Sequence, residues 1–190
     1  MEFGKLTDIS LVDWSLIKDP EITTKYLQRL EGGPKTKFFL GTPAWGHKEW
    51  INVIYPPKTK ATEFLHHYSR HYQCIELNTS HYRIPSEEQT KKWLDQVTPE
   101  FIFCPKVFQG ISHASGGLGD LGLFQQWMEF LKNLGTHCGP SFLQLPPHFD
   151  YSRKAQLHAF LKMWPDEFPL ALEFRHPSWF ENKKILPALA

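Results

Sequence analysis

Residues 101–104 read FIFC and residues 170–174 read LALEF, and short apolar runs of this kind decide the fold class. Nearly unbroken apolar segments are typical of parallel strands that are covered on both faces. Longer amphipathic segments separate these runs, and such alternation predicts repeated βα units with a mainly parallel sheet. The five predicted strands cover residues 38–45, 74–82, 101–107, 141–146 and 170–176.

Four helices are predicted between these strands from the spacing of their apolar residues. Ser86 and Ser152 stand where the second and fourth helices begin and are expected to act as N-caps. Gly135 is expected to end the third helix. The predicted helices cover residues 59–72, 86–97, 121–134 and 152–164.

The domain organisation follows from the position of the first strand and the number of strands. Residues 1–37 are interpreted as an N-terminal extension, and residues 38–190 as one partial domain. A closed eight-stranded (β/α) barrel occupies about 250 residues. The chain ends in ILPALA at residues 185–190, soon after its fifth strand, so we expect about five of the eight βα units. The edges left open invite pairing, and a second chain supplying the missing strands is a predicted partner.

Charge and cysteine content restrict the class of protein. The chain has 21 Lys and Arg against 20 Asp and Glu, a formal charge of +1, which gives no overall attraction to nucleic acid or anionic membrane. Its three cysteines form no CxxC pair and favour a reducing compartment. With neither a signal peptide nor a long apolar run, we expect a cytoplasmic protein without membrane contact.

Polar residues collect at the predicted C-terminal ends of the strands, where parallel α/β folds build their sites. In a low-dielectric barrel interior, cations there would hold an anion and a carboxylate or histidine would act as base or acid. An internal ion-pair network that keeps the barrel in register is an equally weighted alternative. The residues are Glu76, Asn78, Lys106, Gln144, Glu173, Arg175 and His176, with His113 in the loop after the third strand.

Aromatic residues near the same ends allow two interpretations. Trp45, Tyr55 and Trp179 either form a flat wall for a ligand or close the barrel mouth by packing. The usual phosphate, dinucleotide and HExxH zinc motifs are absent from the sequence. A mixed site of histidines and carboxylates stays open, so metal and cofactor are left unassigned.

Five ordered segments resemble the YecE-like family, also called domain of unknown function 72. They are GTPAWGHKEWINVIYP, CIELNTSHYRIP, WLDQVTPEFIFCPKVFQGISH, LQLPPHF and LEFRHPSW, within about residues 38–180. The resemblance implies a TIM-barrel-like fold with an uncharacterised activity. The family pattern falls on Trp45, Trp50, Tyr55, Glu76, Asn78, Tyr82, Lys106, His113, Gln144, Pro146, Glu173, Arg175, His176 and Trp179.

One departure is local, because His81 stands where the family has an aromatic residue before Tyr82. The other is the C-terminal third of the family, which would complete the barrel and has no counterpart here.

Three functional hypotheses follow from these residues. The first is a partial barrel that binds or converts a small anionic or phosphate-bearing ligand: Lys106 and Arg175 hold the anion, Glu76 or Glu173 is the base, and His176 or His113 is the acid. The second is a metal-dependent, nucleic-acid-processing barrel resembling endonuclease-type TIM barrels. The third is a truncated product with no catalytic role.

Overall fold

The computed structural model describes residues 37–114, 118 and 120–181, together with residues 10, 13, 15, 18, 21 and 25. The closing stretch that contains ILPALA lies outside the described residues, as does most of the predicted N-terminal extension. The chain divides into two units, Met1–Phe38 and Phe39–Ala190. All of the elements named below belong to the second unit.

Five short strands form two small parallel sheets. One sheet has the order β1-β2-β3 and the other pairs β4 with β5. Every pair of neighbouring strands is parallel, which confirms the predicted parallel α/β class. The strands are β1 (Gly41–Thr42), β2 (Cys74–Leu77), β3 (Ile102–Pro105), β4 (Ser141–Gln144) and β5 (Leu170–Glu173).

The two sheets meet between β3 and β4. Isolated parallel bridges join Phe103 to Cys138 and Lys106 to Phe142. The Val107 N–H donates to the Phe142 carbonyl at 3.0 Å, beside the Lys106 N–H that donates to Leu77 O at 3.2 Å. The five strands therefore follow one another in chain order, each beside the next.

Helices connect the strands. They are α1 (Phe64–Tyr68), α2 (Thr79–Tyr82), α3 (Glu87–Leu94), α4 (Gln109–Ser112), α5 (Leu121–Leu134) and α6 (Lys154–Met163). Single 3-10 turns cover Lys48–Trp50, Ala61–Glu63, Gly135–His137, Tyr151–Arg153 and Pro177–Trp179. None of the helices in the described part of the chain is long and apolar enough to cross a bilayer.

The boundaries of α3 and α5 follow from local chemistry. Ser86 caps α3, because its side chain accepts a hydrogen bond from the Gln89 N–H, as predicted. Asp120 caps α5 by accepting from the Leu123 N–H at 3.0 Å. The chain leaves α5 at Gly135, whose φ of 56° is a value that glycine adopts without a steric cost. The 3-10 turn before α6 is capped by Asp150 rather than by the predicted Ser152.

The core lies between the strands and the helices. One face of the sheets, represented by Ile75, Leu77, Phe103 and Leu143, is fully buried. Alternate residues on the opposite face are partly or fully exposed, among them Glu76 in β2 and Glu173 in β5. The prediction that both faces are covered is therefore wrong for this structure, because the described helices pack on one face.

Three thiols lie on this second, more open face. Burial is the largest cause that raises the pKa of Cys104, and together with the neighbouring Cys74, Cys138 and Glu76 it raises that pKa to about 11. Burial also raises the pKa of Cys138 to about 11 and raises that of Cys74. All three cysteines are free thiols.

Candidate functional site at the strand C-terminal ends

The C-terminal ends of the strands carry most of the predicted polar residues. Glu76 belongs to β2, Gln144 ends β4 and Glu173 ends β5. Lys106 follows β3 directly, and Arg175 and His176 follow β5. Two predicted residues lie elsewhere than expected: Asn78 and Tyr82 are not in a strand, because the chain turns into α2 after Leu77.

A cavity of about 250 Å³ lies at the ends of β1 and β2. Trp45, Glu76 and Asn78 line it together with Pro43. The Asn78 amide donates to Glu76 Oε1 at 2.9 Å and approaches the Pro43 carbonyl at 3.5 Å. This amide positions the Glu76 carboxylate at the rim of the cavity.

A second amide holds the other carboxylate. The Gln144 Nε2 amide lies 2.8 Å from both Oε1 and Oε2 of Glu173, across the pair of strands in which Gln144 lies opposite Glu173. In both cases a strand-end carboxylate accepts a hydrogen bond from a neutral amide. Both carboxylates are exposed.

The ion-pair network considered as the structural alternative is not formed among the described residues. Glu76, Glu173 and Arg175 are exposed, and water weakens the attraction between charges at such positions. Among the described residues, the ion pairs involve none of these three side chains. The described helices cover the opposite sheet face, which explains why these groups reach solvent.

Basic side chains follow the C-terminal ends of β2, β3, β4 and β5. We name them the cation cluster: His81, Lys106, His113, His148 and Arg175. Burial lowers the pKa of His113, and the charges of His81, Lys106, His148 and Arg175 lower it further. The lowered pKa values leave His81 and His113 mostly neutral near pH 7, so Lys106 and Arg175 supply the permanent positive charge of the cluster.

His81 is the buried member of the cation cluster. Its Nδ1 lies 2.8 Å from the Val107 carbonyl oxygen, which assigns the proton to Nδ1 because a carbonyl can only accept. Its ring meets the ring of His113 edge to face, with centroids 5.1 Å apart. The Nδ1 of His113 is 2.8 Å from the Ser112 hydroxyl oxygen. The two imidazole rings are therefore in contact, and we call His81 and His113 the histidine pair.

Lys106 extends toward β4. Its Nζ lies 5.5 Å from the centroid of the Phe142 ring, a cation–π contact that holds the ammonium on the open sheet face. Its charge also lowers the pKa of His81, where burial is the largest cause and the hydrogen bond to Val107 acts in the opposite direction.

The stability of the fold is expected to fall in mild acid because of the histidine pair. A histidine whose pKa is lowered by folding binds fewer protons in the native state than in the unfolded chain, so unfolding takes up protons. Stability is therefore full above the ordinary histidine pKa of about 6.5 and is lost as pH falls below it. We expect the urea midpoint of unfolding to be lower at pH 5.5 than at pH 7.5.

The variant His81→Phe should reduce this pH dependence, because it removes one of the two histidines. The matched control is His158→Gln, which changes an exposed histidine of α6. An equal loss of stability between the two pH values in wild type and His81→Phe would contradict the assignment.

The aromatic candidates occupy three kinds of position: a cavity, the core and the exposed surface. Trp45 is half-buried and borders the cavity at β1 and β2. Tyr55 is 2% exposed and its hydroxyl donates to Trp45 O at 2.7 Å, while Trp179 is 1% exposed and its indole N–H donates to Phe149 O at 2.7 Å. Tyr82 is 70% exposed on α2. The structure places Trp45 at a cavity and packs Tyr55 and Trp179 into the core.

The ring of His176 is held by its own turn. Its Nδ1 accepts from the Ser178 N–H at 3.2 Å and lies 2.8 Å from the Ser178 hydroxyl oxygen. Within residues 37–114, 118 and 120–181, no group of three or more His, Cys, Asp or Glu side chains is arranged to hold a metal ion.

Two members of the cation cluster, His81 and His148, were not among the predicted site residues. The departure of His81 from the aromatic residue of the family pattern was the available signal. Nothing in the sequence marks His148, which follows two prolines after β4.

The family model for "Protein of unknown function DUF72" matches residues 39–190. The chain belongs to the DUF72 family. This DUF72 chain is 32% identical over 142 residues to the UPF0759 protein YecE of Escherichia coli strain K12, covering 75% of this chain and 50% of that protein. It is 30% identical over 149 residues to the UPF0759 protein YunF of Bacillus subtilis strain 168, covering 75% and 52%. The DUF72 chain spans about half the length of these curated relatives.

Solved DUF72 structures share the fold of this DUF72 chain. A DUF72 family protein of Thermotoga maritima MSB8, TM1631, matches with a TM-score of 0.62 and 25% identity, covering 80% of this chain and 60% of that one. A DUF72 family protein of Enterococcus faecalis V583, EF0366, matches with a TM-score of 0.64 and 21% identity, covering 80% and 55%.

Proposed function

We propose that this chain is part of a TIM-barrel-like domain that binds a small anionic, phosphate-bearing ligand at the C-terminal ends of its strands. The observation that carries the proposal is the placement of Lys106 after β3 and Arg175 after β5, with β4 between these strands and the Lys106 ammonium over Phe142 of β4. Both side chains carry a permanent positive charge, so each attracts an anion placed between them. Phosphate is a suitable anion, because Arg binds it through two parallel hydrogen bonds and Lys binds it as a point charge.

The roles follow from position. Arg175 is exposed and offers a planar fork for two phosphate oxygens, while Lys106 supplies a compact charge. His113 stands beside Lys106 as the acid, and a bound anion would raise its pKa and favour its protonated form. Glu76, positioned by Asn78, or Glu173, positioned by Gln144, is the base.

The barrel itself is part of the proposal. Five parallel strands in chain order, each beside the next, match the start of a (β/α) barrel. The aligned part of this chain covers only about half of each curated relative. The part of the relatives that this chain does not cover is long enough for further strands. Such strands would cover the open sheet face and adjoin the cation cluster.

The test is calorimetric titration with inorganic phosphate at pH 7 and low salt. We expect Lys106→Ala and Arg175→Ala each to weaken binding about tenfold or more, since hydrogen bonds to charged groups contribute about 1.5–3 kcal/mol. Lys91→Ala is the matched control, because Lys91 is an exposed cation of α3 paired with Asp95.

Unchanged phosphate affinity in both Lys106→Ala and Arg175→Ala would overturn the proposal. An oligonucleotide that binds with a much steeper salt dependence than phosphate would favour the nucleic-acid hypothesis instead.

A further inference from the structure

Two further cavities lie along α3, and we name them the α3 trough. Their volumes are about 260 Å³ and 490 Å³, and both are lined by Gln89 and Trp93. The smaller shares Thr79 with the cavity at β1 and β2, and the larger shares Trp45 with it. The three cavities are therefore neighbours along a path from the strand ends to α3.

Two indole rings form the apolar surface of this path. The Trp93 ring packs on Phe103 of the core, with centroids 6.1 Å apart and planes 25° apart. Its edge contact with Trp45 has a centroid distance of 5.7 Å and an angle of 78°. Both tryptophans are half-buried, so the core fixes each ring while part of its surface faces the cavities. Rigid aromatic faces of this kind bind flat, partly apolar rings at a low entropic cost.

The polar groups of the trough are mostly neutral. Gln89, Thr62 and Thr79 line it and make no side-chain hydrogen bond to other described residues. Two of the charges beside them are paired along α3, since Lys92 lies 2.7 Å from Glu88 Oε1 and Asp95 lies 3.0 Å from Lys91 Nζ. Arg83 lines the smaller cavity and makes no ion pair with the described residues. The trough thus offers amide and hydroxyl groups together with aromatic faces.

We propose that the α3 trough binds a neutral oligosaccharide. A pyranose ring presents C–H groups on its faces, which suit Trp45 and Trp93, and hydroxyls at its rim, which suit Gln89 and the two threonines. A nucleic acid strand would bring one phosphate per nucleotide, whereas Arg83 is the one cation that lines the trough without an ion pair among the described residues. The larger cavity, about 490 Å³, is within the usual range for small-molecule sites.

The test is nuclear magnetic resonance of the ¹⁵N-labelled chain titrated with cellohexaose, maltohexaose and chitohexaose. We expect at least one of these sugars to shift the indole N–H signals of Trp45 and Trp93, assigned with Trp45→Phe and Trp93→Phe. The signal of Trp179 should stay in place, because its N–H donates to Phe149 O inside the core.

Gln89→Ala should raise the dissociation constant of the binding sugar about fivefold through loss of a hydrogen bond. Gln126→Ala, at an exposed glutamine of α5, is the matched control and should change nothing. Lys106→Ala should also leave sugar binding unchanged, so failure of the phosphate proposal and failure of this one give different results.

Three outcomes overturn the inference. One is that none of the three sugars shifts the Trp45 or Trp93 signal, and another is that Gln89→Ala binds sugar as tightly as Gln126→Ala does. The third is that oligodeoxythymidine shifts the same two signals with a steep salt dependence and the sugars do not.

Discussion

Replacing Phe103 with alanine is expected to lower the free energy of unfolding by about 3–5 kcal/mol. Phe103 is 0% exposed at the centre of β3, opposite Ile75 of β2. Its ring contacts Phe101 edge to face at 5.1 Å and stacks against Trp93. Removing the ring leaves a cavity between sheet and helix that these rigid neighbours cannot fill. A loss of this size is a large fraction of the 5–15 kcal/mol typical of folded domains.

Urea unfolding followed by near-ultraviolet circular dichroism measures the effect, because the aromatic signal reports fixed side-chain packing. The matched control is Phe180→Ala, at a phenylalanine that is 54% exposed, where we expect a change within about 0.5 kcal/mol. A decrease below about 1.5 kcal/mol for Phe103→Ala would show that the core around β3 is looser than the structure has it.

Gly41→Ala is expected to destabilise the fold by about 1–3 kcal/mol. A Cβ atom built at Gly41 overlaps the backbone carbonyl of Cys74 and lies 2.8 Å from the Cys74 Sγ atom. Backbone cannot rotate away as a flexible side chain does. Relief therefore requires β1 to move away from β2, at the point where Gly41 pairs with Cys74.

Gly46→Ala is the control for the glycine substitution, because a Cβ at Gly46 meets nothing within 4 Å. Both variants change the entropy of the unfolded chain in the same way, so the difference between their urea midpoints isolates the clash. Equal midpoints would contradict the close approach of β1 to β2.

The ends of a helix could be predicted from the sequence where a residue at that end caps or terminates the helix. The predicted bounds of α5 agree with the observed Leu121–Leu134, since an apolar stripe ends at a glycine with positive φ. The predicted Ser86 cap is confirmed as well. The Ser152 cap was wrong because the Asp150 carboxylate, two residues earlier, accepts from both the N–H and the hydroxyl of Ser152.

The end of β2 could not be predicted locally, because a distant contact ends it. The Ser80 hydroxyl oxygen lies 2.6 Å from Leu77 O and 2.8 Å from Lys106 O, on the neighbouring strand. The segment forms a helical turn at this contact, although its sequence pattern predicts that the strand continues. Asn78 therefore leaves the sheet, yet its amide still reaches Glu76.

The site was predictable in its position and unpredictable in its electrostatics. Alternation in strands places Glu76 and Glu173 on one face, as the sequence indicates. Whether that face is dry depends on what packs against it, which no local pattern encodes. The orientation of the His81 ring depends on a hydrogen bond to Val107, which lies 26 residues away along the chain.

The raised thiol pKa values determine how this protein responds to alkylating and oxidising reagents. With a pKa of about 11, Cys104 and Cys138 have a thiolate fraction on the order of 10⁻⁴ at pH 7, and the thiolate is the reactive form. Peroxide and iodoacetamide will attack the native thiols slowly and the opened ones quickly. The rate of alkylation at Cys104 and Cys138 therefore measures how often the sheet around β3 and β4 opens.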